Sequence, residues 1–248
     1  TILSLAKMVP TAISSLMGTV VGVFNPQITI AYAEGDKEKL VDIIKSCNRI
    51  LIFIMSIPIA FLTAYGRDFY ALWQPTKDPD MLQRLSLLAV GVLYVSMSIQ
   101  VLYHVFIITK KVKWNSLVVL GSGICSSLLS LILLSKTDLG VACFPLSSML
   151  TGVLRNMIFT PIYAARCLEI RWNRFYSDIF LGFASIGTIT VLGLLSRMIV
   201  PIHSWIILLL TGVVMGPLAL LVNFFVILRK QERNMVIGMV RSRLKGEA

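Results

Sequence analysis

Arg155 stands in the middle of a long apolar stretch, where a guanidinium costs about 2.5–3.5 kcal/mol to insert and cannot easily reach either headgroup layer. No Asp or Glu lies inside any charge-free run of the chain, so an ion-pair partner for it must come from sequence outside this chain. Two readings follow. Arg155 lines a water-filled cavity and meets an anionic substrate there, since its forked five-donor group suits phosphate oxygens. Alternatively it bonds carbonyls, the neighbouring Asn156 or an acid from elsewhere, and is structural. Lys7 is the second such cation. Ser4, Lys7, Thr11, Ser14, Ser15, Gly18 and Gly22 recur at spacings of three and four, which puts them on one stripe of a helix. That stripe is either the wall of a polar cavity, with Lys7, Thr11 and Ser15 facing substrate, or a close-packing seam built on the small-xxx-small pair Gly18 and Gly22. Lys7 lies close enough to a helix end to snorkel to the interface as well.

The elements that must position these residues are set by composition. Of 248 residues 56% are apolar and only 14% charged, with a mean hydropathy of +0.83. A soluble domain carries about 25% charged residues, so an ordinary water-soluble globule is excluded. The formal charge of +11 does not indicate nucleic acid, because the basic residues fall between apolar runs and form no polar, aromatic-bearing surface. Runs without Lys, Arg, Asp or Glu cover 8–33, 50–66, 85–109, 114–135, 139–154, 179–196 and 198–228. A hydrocarbon core of about 30 Å takes roughly 20 helical residues, so these runs predict seven transmembrane helices, the fifth continuing through Arg155 to Ala165. The fold class is all-α, a polytopic membrane helix bundle.

Alternating the loops across the membrane puts sixteen basic residues on the side of the C-terminus and five on the other, with Lys7 and Arg155 inside spans. The positive-inside bias then places the C-terminus in the cytoplasm and Thr1 outside. An outside start without Met predicts that upstream sequence is missing. Residues 231–245 read as a basic amphipathic helix on the inner leaflet or as a solvated tail.

Other chemistries find little footing. Cys47, Cys125, Cys143 and Cys167 have no short pairing motif and read as core residues or reduced thiols. His104 and His203 are far apart with no acid or thiol at ligand spacing, so no metal site is expected, nor a cofactor. No phosphate-binding glycine loop and no nucleophile elbow occurs, so no enzyme activity is expected. Pro10, Pro58, Pro161 and Pro217 lie inside predicted helices and favour kinks.

The stretch Asn25-Pro26-Gln27, followed by Ala33-Glu34-Gly35-Asp36 and Leu40, looks like a joint where one helix ends in a Pro-containing turn and an A-x-G-D-x-x-x-L segment opens the next. With Ser46 to Arg49, Pro58, the Tyr65-Gly66-Arg67-Asp68-Phe69-Tyr70-Ala71-Leu72-Trp73 stretch and the Lys110-Lys111-Val112-Lys113 loop, this order resembles polysaccharide flippases of the O-antigen translocase type. Their superfamily also holds the MATE multidrug exporters. The resemblance implies the second lobe of a MATE-like fold plus two terminal helices: five helices over 1–168, a terminal pair over 169–230 and a basic tail over 231–248, with the N-terminal lobe missing. It also implies alternating access at the bacterial inner membrane, moving a polyprenyl-pyrophosphate-linked oligosaccharide, with Arg155, Lys7, Thr11 and Ser15 as the substrate-facing candidates. A cation-coupled drug exporter and a membrane-bound lipid-linked glycan enzyme are the alternatives. The absence of acids inside the runs favours an anionic cargo over a cationic one.

Reporter fusions check the topology. A periplasm-active reporter is expected to work at Lys136 and to be silent at Ala248, and equal exposure of both positions would overturn the orientation.

Overall fold

The computed structural model describes residues 2–228 and Arg233. All regular elements among them are helical, and six helical stretches are long and apolar enough to cross a membrane: Ile2–Ala33, Lys37–Trp73, Val112–Lys136, Gly140–Cys167, Tyr176–Ile199 and Trp205–Val226. This is an all-α polytopic membrane bundle.

The first helix, α1 (Ile2–Ala33), does not stop at Pro26 as the motif suggested; it runs through it. The break comes seven residues later. Gly35 takes φ +77°, a left-handed conformation that glycine adopts without the usual Cβ penalty, and the Asp36 side chain accepts from the Lys39 N–H at 3.0 Å to cap α2 (Lys37–Trp73). Leu40, the last residue of the motif, then falls in the core. The helix α2 carries Lys45, Arg49, Arg67 and Asp68 inside it, well beyond the expected 50–66 crossing.

The expected crossing over 85–109 is not one helix. It comprises α3 (Pro79–Val90), α4 (Leu93–Ser96) and α5 (Leu102–Ile108). The flanking residues Gly91, Val92, Met97 and Val101 keep right-handed helical dihedrals. What changes is the hydrogen bonding, which tightens to three-residue steps at Ser98 to Val95 (3.0 Å), Ile99 to Ser96 (3.1 Å) and Leu102 to Ile99 (2.9 Å). Neighbours press close along this crossing. A Cβ on Gly152 would lie 2.9 Å from Val92, and one on Gly182 would meet Ser98.

After α6 (Val112–Lys136) and a 3-10 turn (Gly140–Ala142), the fifth crossing proceeds as α7 (Cys143–Leu154), a π-helical turn (Arg155–Phe159) and α8 (Thr160–Cys167). The last crossings are α9 (Tyr176–Ile199), which includes Arg197, and α10 (Trp205–Val226), which starts later than the expected 198. The predicted amphipathic tail lies outside the described residues except for Arg233, whose guanidinium donates to the Leu228 and Phe225 carbonyls at the end of α10.

Helix α2 is the centre of the bundle and packs against α1, α3, α9 and α10, while α7 packs against α3 and α6 and α8 against α5. Charged residues pair at the two ends. Arg67 meets Asp80 at 2.8 Å and Arg197 meets Asp68 at 2.7 Å at one end; Lys37 meets Glu169 at 2.5 Å and Arg174 meets Glu38 at 3.2 Å at the other.

Each helix-interior proline leaves a carbonyl four residues earlier without its N–H donor, and in lipid that carbonyl must find another. Pro161 frees the Met157 carbonyl, which accepts from the Tyr176 hydroxyl at 2.9 Å. Pro10 frees that of Ala6, within 3.3 Å of the buried Tyr70 hydroxyl. Near Pro58, which frees the Ile54 carbonyl, the adjacent Phe53 carbonyl accepts from Asn223 Nδ2 at 3.0 Å. A membrane hydrogen bond of this kind contributes about 0.6–1.7 kcal/mol. Tyr176→Phe is therefore expected to lower thermal stability in detergent by that amount, and to cost much less in a Pro161→Ala background, where the helix supplies its own donor. Equal costs in both backgrounds would show that Tyr176 does not serve that carbonyl.

Candidate functional site

Three of the four sequence-nominated residues meet. Lys7, Thr11 and Ser15 of α1, with Ser14, line one side of a cavity of about 350 Å³ whose other walls are Leu88, Val92 and Leu93 of the broken crossing and Ser148 and Met149 of α7. The period of the helix explains the first wall: residues three and four apart share a face. The packing-seam reading of that stripe is not realised among the described residues. A Cβ on Gly18 or Gly22 would meet nothing within 4 Å. Ser15 and Thr19 bond within the helix, Ser15 donating to the Thr11 carbonyl at 3.0 Å and Thr19 to the Ser15 carbonyl at 3.1 Å. The Lys7 side chain is exposed and stands at this cavity.

Arg155 is not among the residues lining it. It stands seven residues after Ser148 on the same helix, two turns and about 10 Å along, and therefore on the same face. A polar seam between α6 and α7 joins the two places: Ser148 Oγ lies 3.3 Å from Ser126 Oγ, and Arg155 Nη1 donates to Ser122 Oγ at 3.3 Å. Arg155 Nε donates to Asn156 Oδ1 at 3.2 Å. Asn156 is 1% exposed and holds its surroundings in turn, accepting from the Tyr103 hydroxyl and donating to Ser96 Oγ, both at 2.8 Å.

The Asn156 bond is one of the structural contacts the sequence allowed for, so part of that reading is present. It engages one donor of five, and the Ser122 bond a second. Both partners are neutral. No carboxylate pairs with Arg155 among the described residues. The guanidinium also sits where the helix widens: the Thr160 N–H reaches back five residues to the Arg155 carbonyl, making a π turn of the type that recurs at functional sites.

Two features escaped sequence reading. One is a cavity of about 1020 Å³ on the other side of α3 and α4, lined by Leu85, Tyr94, Leu146 and Phe183, with Asp78, Arg84 and Asp138 in its wall. It shares Leu88 and Met149 with the polar cavity, so the two are separated by little more than those side chains. Nothing in the periodicity announces a void. The other is Asp178, fully buried one residue ahead of the run that begins at 179, where Asn48 Nδ2 donates to it at 3.2 Å and Arg49 Nε lies 4.0 Å away. Its place in the first turn of α9, the positive end of the helix dipole, is the signal that could have found it.

With this geometry in place, the chain can be set against known proteins. It resembles a membrane protein of Bacillus subtilis (strain 168), described as uncharacterized membrane protein EpsK, with 26% identity over 232 residues. The match takes in 94% of this chain and 46% of that protein, so the chain spans about half the length of its relative. No family model matches the chain, and no solved structure matches it.

Asn156 is the keystone of the Arg155 region. Asn156→Leu leaves the Tyr103 hydroxyl and Ser96 without their shared partner in a buried setting and is expected to destabilise the protein by about 1–3 kcal/mol, read as a lowered melting temperature in detergent. Ser122→Ala, on the more exposed side of Arg155, is expected to change it by less than about 0.5 kcal/mol.

Proposed function

We propose that this chain is half of an alternating-access transporter that flips a lipid-linked anionic glycan, of the polyprenyl-pyrophosphate type, from the cytoplasmic leaflet of a bacterial inner membrane. The observation that carries the reading is Arg155: a guanidinium at mid-crossing, engaged by two neutral hydrogen bonds and by no carboxylate among the described residues. A phosphate-bearing cargo would supply the missing negative charge and accept from the donors that Asn156 and Ser122 leave over. Lys7 offers a second cation at the polar cavity, whose Ser148 stands two helical turns from Arg155.

The neighbouring cavities fit the same cargo. A polar cavity with a lysine and several hydroxyls suits a sugar phosphate, and a much larger apolar cavity behind Leu88 and Met149 suits an isoprenoid tail. The open polar face of α1 leaves room for a second lobe to close over it, in keeping with a relative about twice as long. The resemblance of the Gly35-Asp36 joint and the Lys110–Lys113 loop to polysaccharide flippases points the same way.

The test uses the full-length gene in its host. Arg155→Ala is expected to cut surface polysaccharide at least tenfold at an unchanged membrane level of the protein, with its lipid-linked precursor accumulating on the cytoplasmic leaflet, while Arg155→Lys retains part of the activity. Full surface polysaccharide from Arg155→Ala would overturn the substrate role of Arg155.

A further inference from the structure

At the end of the bundle where α5 turns into α6 and α8 finishes, three cations converge on a cavity with no carboxylate in its wall. The turn is set by Lys110, whose φ of +55° is unusual for a residue with a side chain, and the Lys111 N–H bonds back to the Phe106 carbonyl at 3.0 Å. The Tyr163 hydroxyl of α8 donates to the Lys111 carbonyl at 3.0 Å, and its ring stacks on Phe159 at 4.9 Å, so turn and helix end are tied together. Between them lies a cavity of about 340 Å³ lined by Lys111, Lys113, Trp114, Tyr163, Arg166 and Cys167.

Three facts separate this cluster from ordinary loop charge. Three other basic residues at this end are paired, Lys37 with Glu169, Lys39 with Glu34 and Arg174 with Glu38. Lys111, Lys113 and Arg166 pair with no carboxylate among the described residues. The nearby acid is also committed, because the Lys37 ammonium holds the Glu169 carboxyl below the usual carboxylate range, with Lys111 adding to the effect. Third, the cavity opens beside an apolar rail. Trp114 is 61% exposed, and Leu117, Leu120, Ile124, Leu128 and Leu131 continue along α6 as exposed side chains at helical spacings. Only 6% of the most apolar part of α6 is buried within the chain.

We infer that this cavity is a binding site for the headgroup of an anionic phospholipid, with the phosphodiester held by Lys111, Lys113 and Arg166 and an acyl chain lying along α6 from Trp114. The rail is what favours a lipid over a free phosphate. A soluble anion would use the cations and leave Trp114 and the leucines uncovered, whereas a phospholipid matches both at once. A tryptophan at the junction of charge and hydrocarbon is placed as interfacial anchors are. This inference is independent of the role of Arg155 and survives if that role fails.

The test reads Trp114 in the full-length protein, reconstituted in phosphatidylcholine vesicles that contain, at equal mole fraction, either phosphatidylglycerol or phosphatidylcholine brominated on one acyl chain. Subtracting the Trp114→Phe protein isolates one of the four tryptophans of this chain. Brominated phosphatidylglycerol is expected to quench Trp114 more than its zwitterionic counterpart. Each cation near an anionic headgroup contributes about fivefold, so Lys111→Gln/Lys113→Gln/Arg166→Gln is expected to lose on the order of 100-fold of the preference and Lys113→Gln alone about fivefold. Lys77→Gln/Lys136→Gln, equally exposed but elsewhere, keeps it. Equal quenching by the two lipids in the unmodified protein, or a full preference in the triple variant, overturns the site. Soluble glycerol 3-phosphate is expected to leave the preference intact; if it abolishes it, the cavity belongs to a free phosphate and the lipid assignment falls.

Discussion

The contact between α2 and α9 is the constraint on which the bundle rests. It is closed at one end by Asp68, which accepts a hydrogen bond from Arg197 Nη2 at 3.0 Å and pairs with its Nε at 2.7 Å. Next to that pair the Tyr65 and Ser196 hydroxyls are hydrogen-bonded to each other. Toward the other end Asp178 sits fully buried against Asn48 and Arg49, and between the two the helices approach until a Cβ on Gly193 would lie 2.8 Å from that of Ala64. Buried ion pairs recover little net energy after desolvation. What they do here is exclude alternatives, since shifting α9 by one residue turns each of its side chains by about 100° and would strand Asp178 and Arg197 together.

The remaining helices take their positions from α2. Asn223 of α10 reaches Ser56 Oγ at 2.7 Å and Ser185 at 2.6 Å, tying α10 to both members of the central pair. On the other flank Tyr70 links the start of α1 to Ser86 of α3. Several of these polar contacts also answer a proline, because Tyr70, Tyr176 and Asn223 bond carbonyls at or beside the positions that Pro10, Pro161 and Pro58 expose. Kinks and tertiary contacts are thus one system. Pro10 and Pro161 do not simply loosen a helix; each frees an acceptor that a particular neighbour fills, which makes those bends part of the packing.

Much of this was legible in the sequence, and the parts that were not share a cause. The charge-free runs located the crossings because burying charge in lipid is costly enough to dominate every local preference. They misjudged where helices end for the same reason: Arg49, Arg67 and Asp68 look like loop residues until Asp178, Asp80 and Arg197, each from another helix, are seen beside them. The period of α1 placed Lys7, Thr11 and Ser15 on one face correctly, yet could not say whether Gly18 and Gly22 met a neighbour. The breaks near Gly91 and Met97 lie where Gly152 and Gly182 approach, and no local pattern encodes that approach. The partners Ser122 and Ser126 of the seam were equally hidden, since serine in an apolar helix is common and only the facing helix gives it a role.

The π turn at Arg155–Phe159 shows how such distant demands settle on one residue. An extra residue in a helical turn advances everything after it by about 100°, so α7 and α8 present different faces although they belong to one crossing. The first half faces α6 and α3, where Ser148 meets Ser126 and the Lys7 cavity; the second faces α5, where Tyr163 packs on Phe106 at 5.2 Å. A regular α-helix would satisfy one of these neighbours and misdirect the other. Arg155 begins the turn, so it keeps the register of Ser148 and stays with the polar seam, while Asn156, the next residue, is buried toward Ser96 and Tyr103. The change of phase therefore turns Thr160 and the residues after it toward α5, while Arg155 stays at the seam that leads to the polar cavity, hydrogen-bonded to an asparagine held in the core.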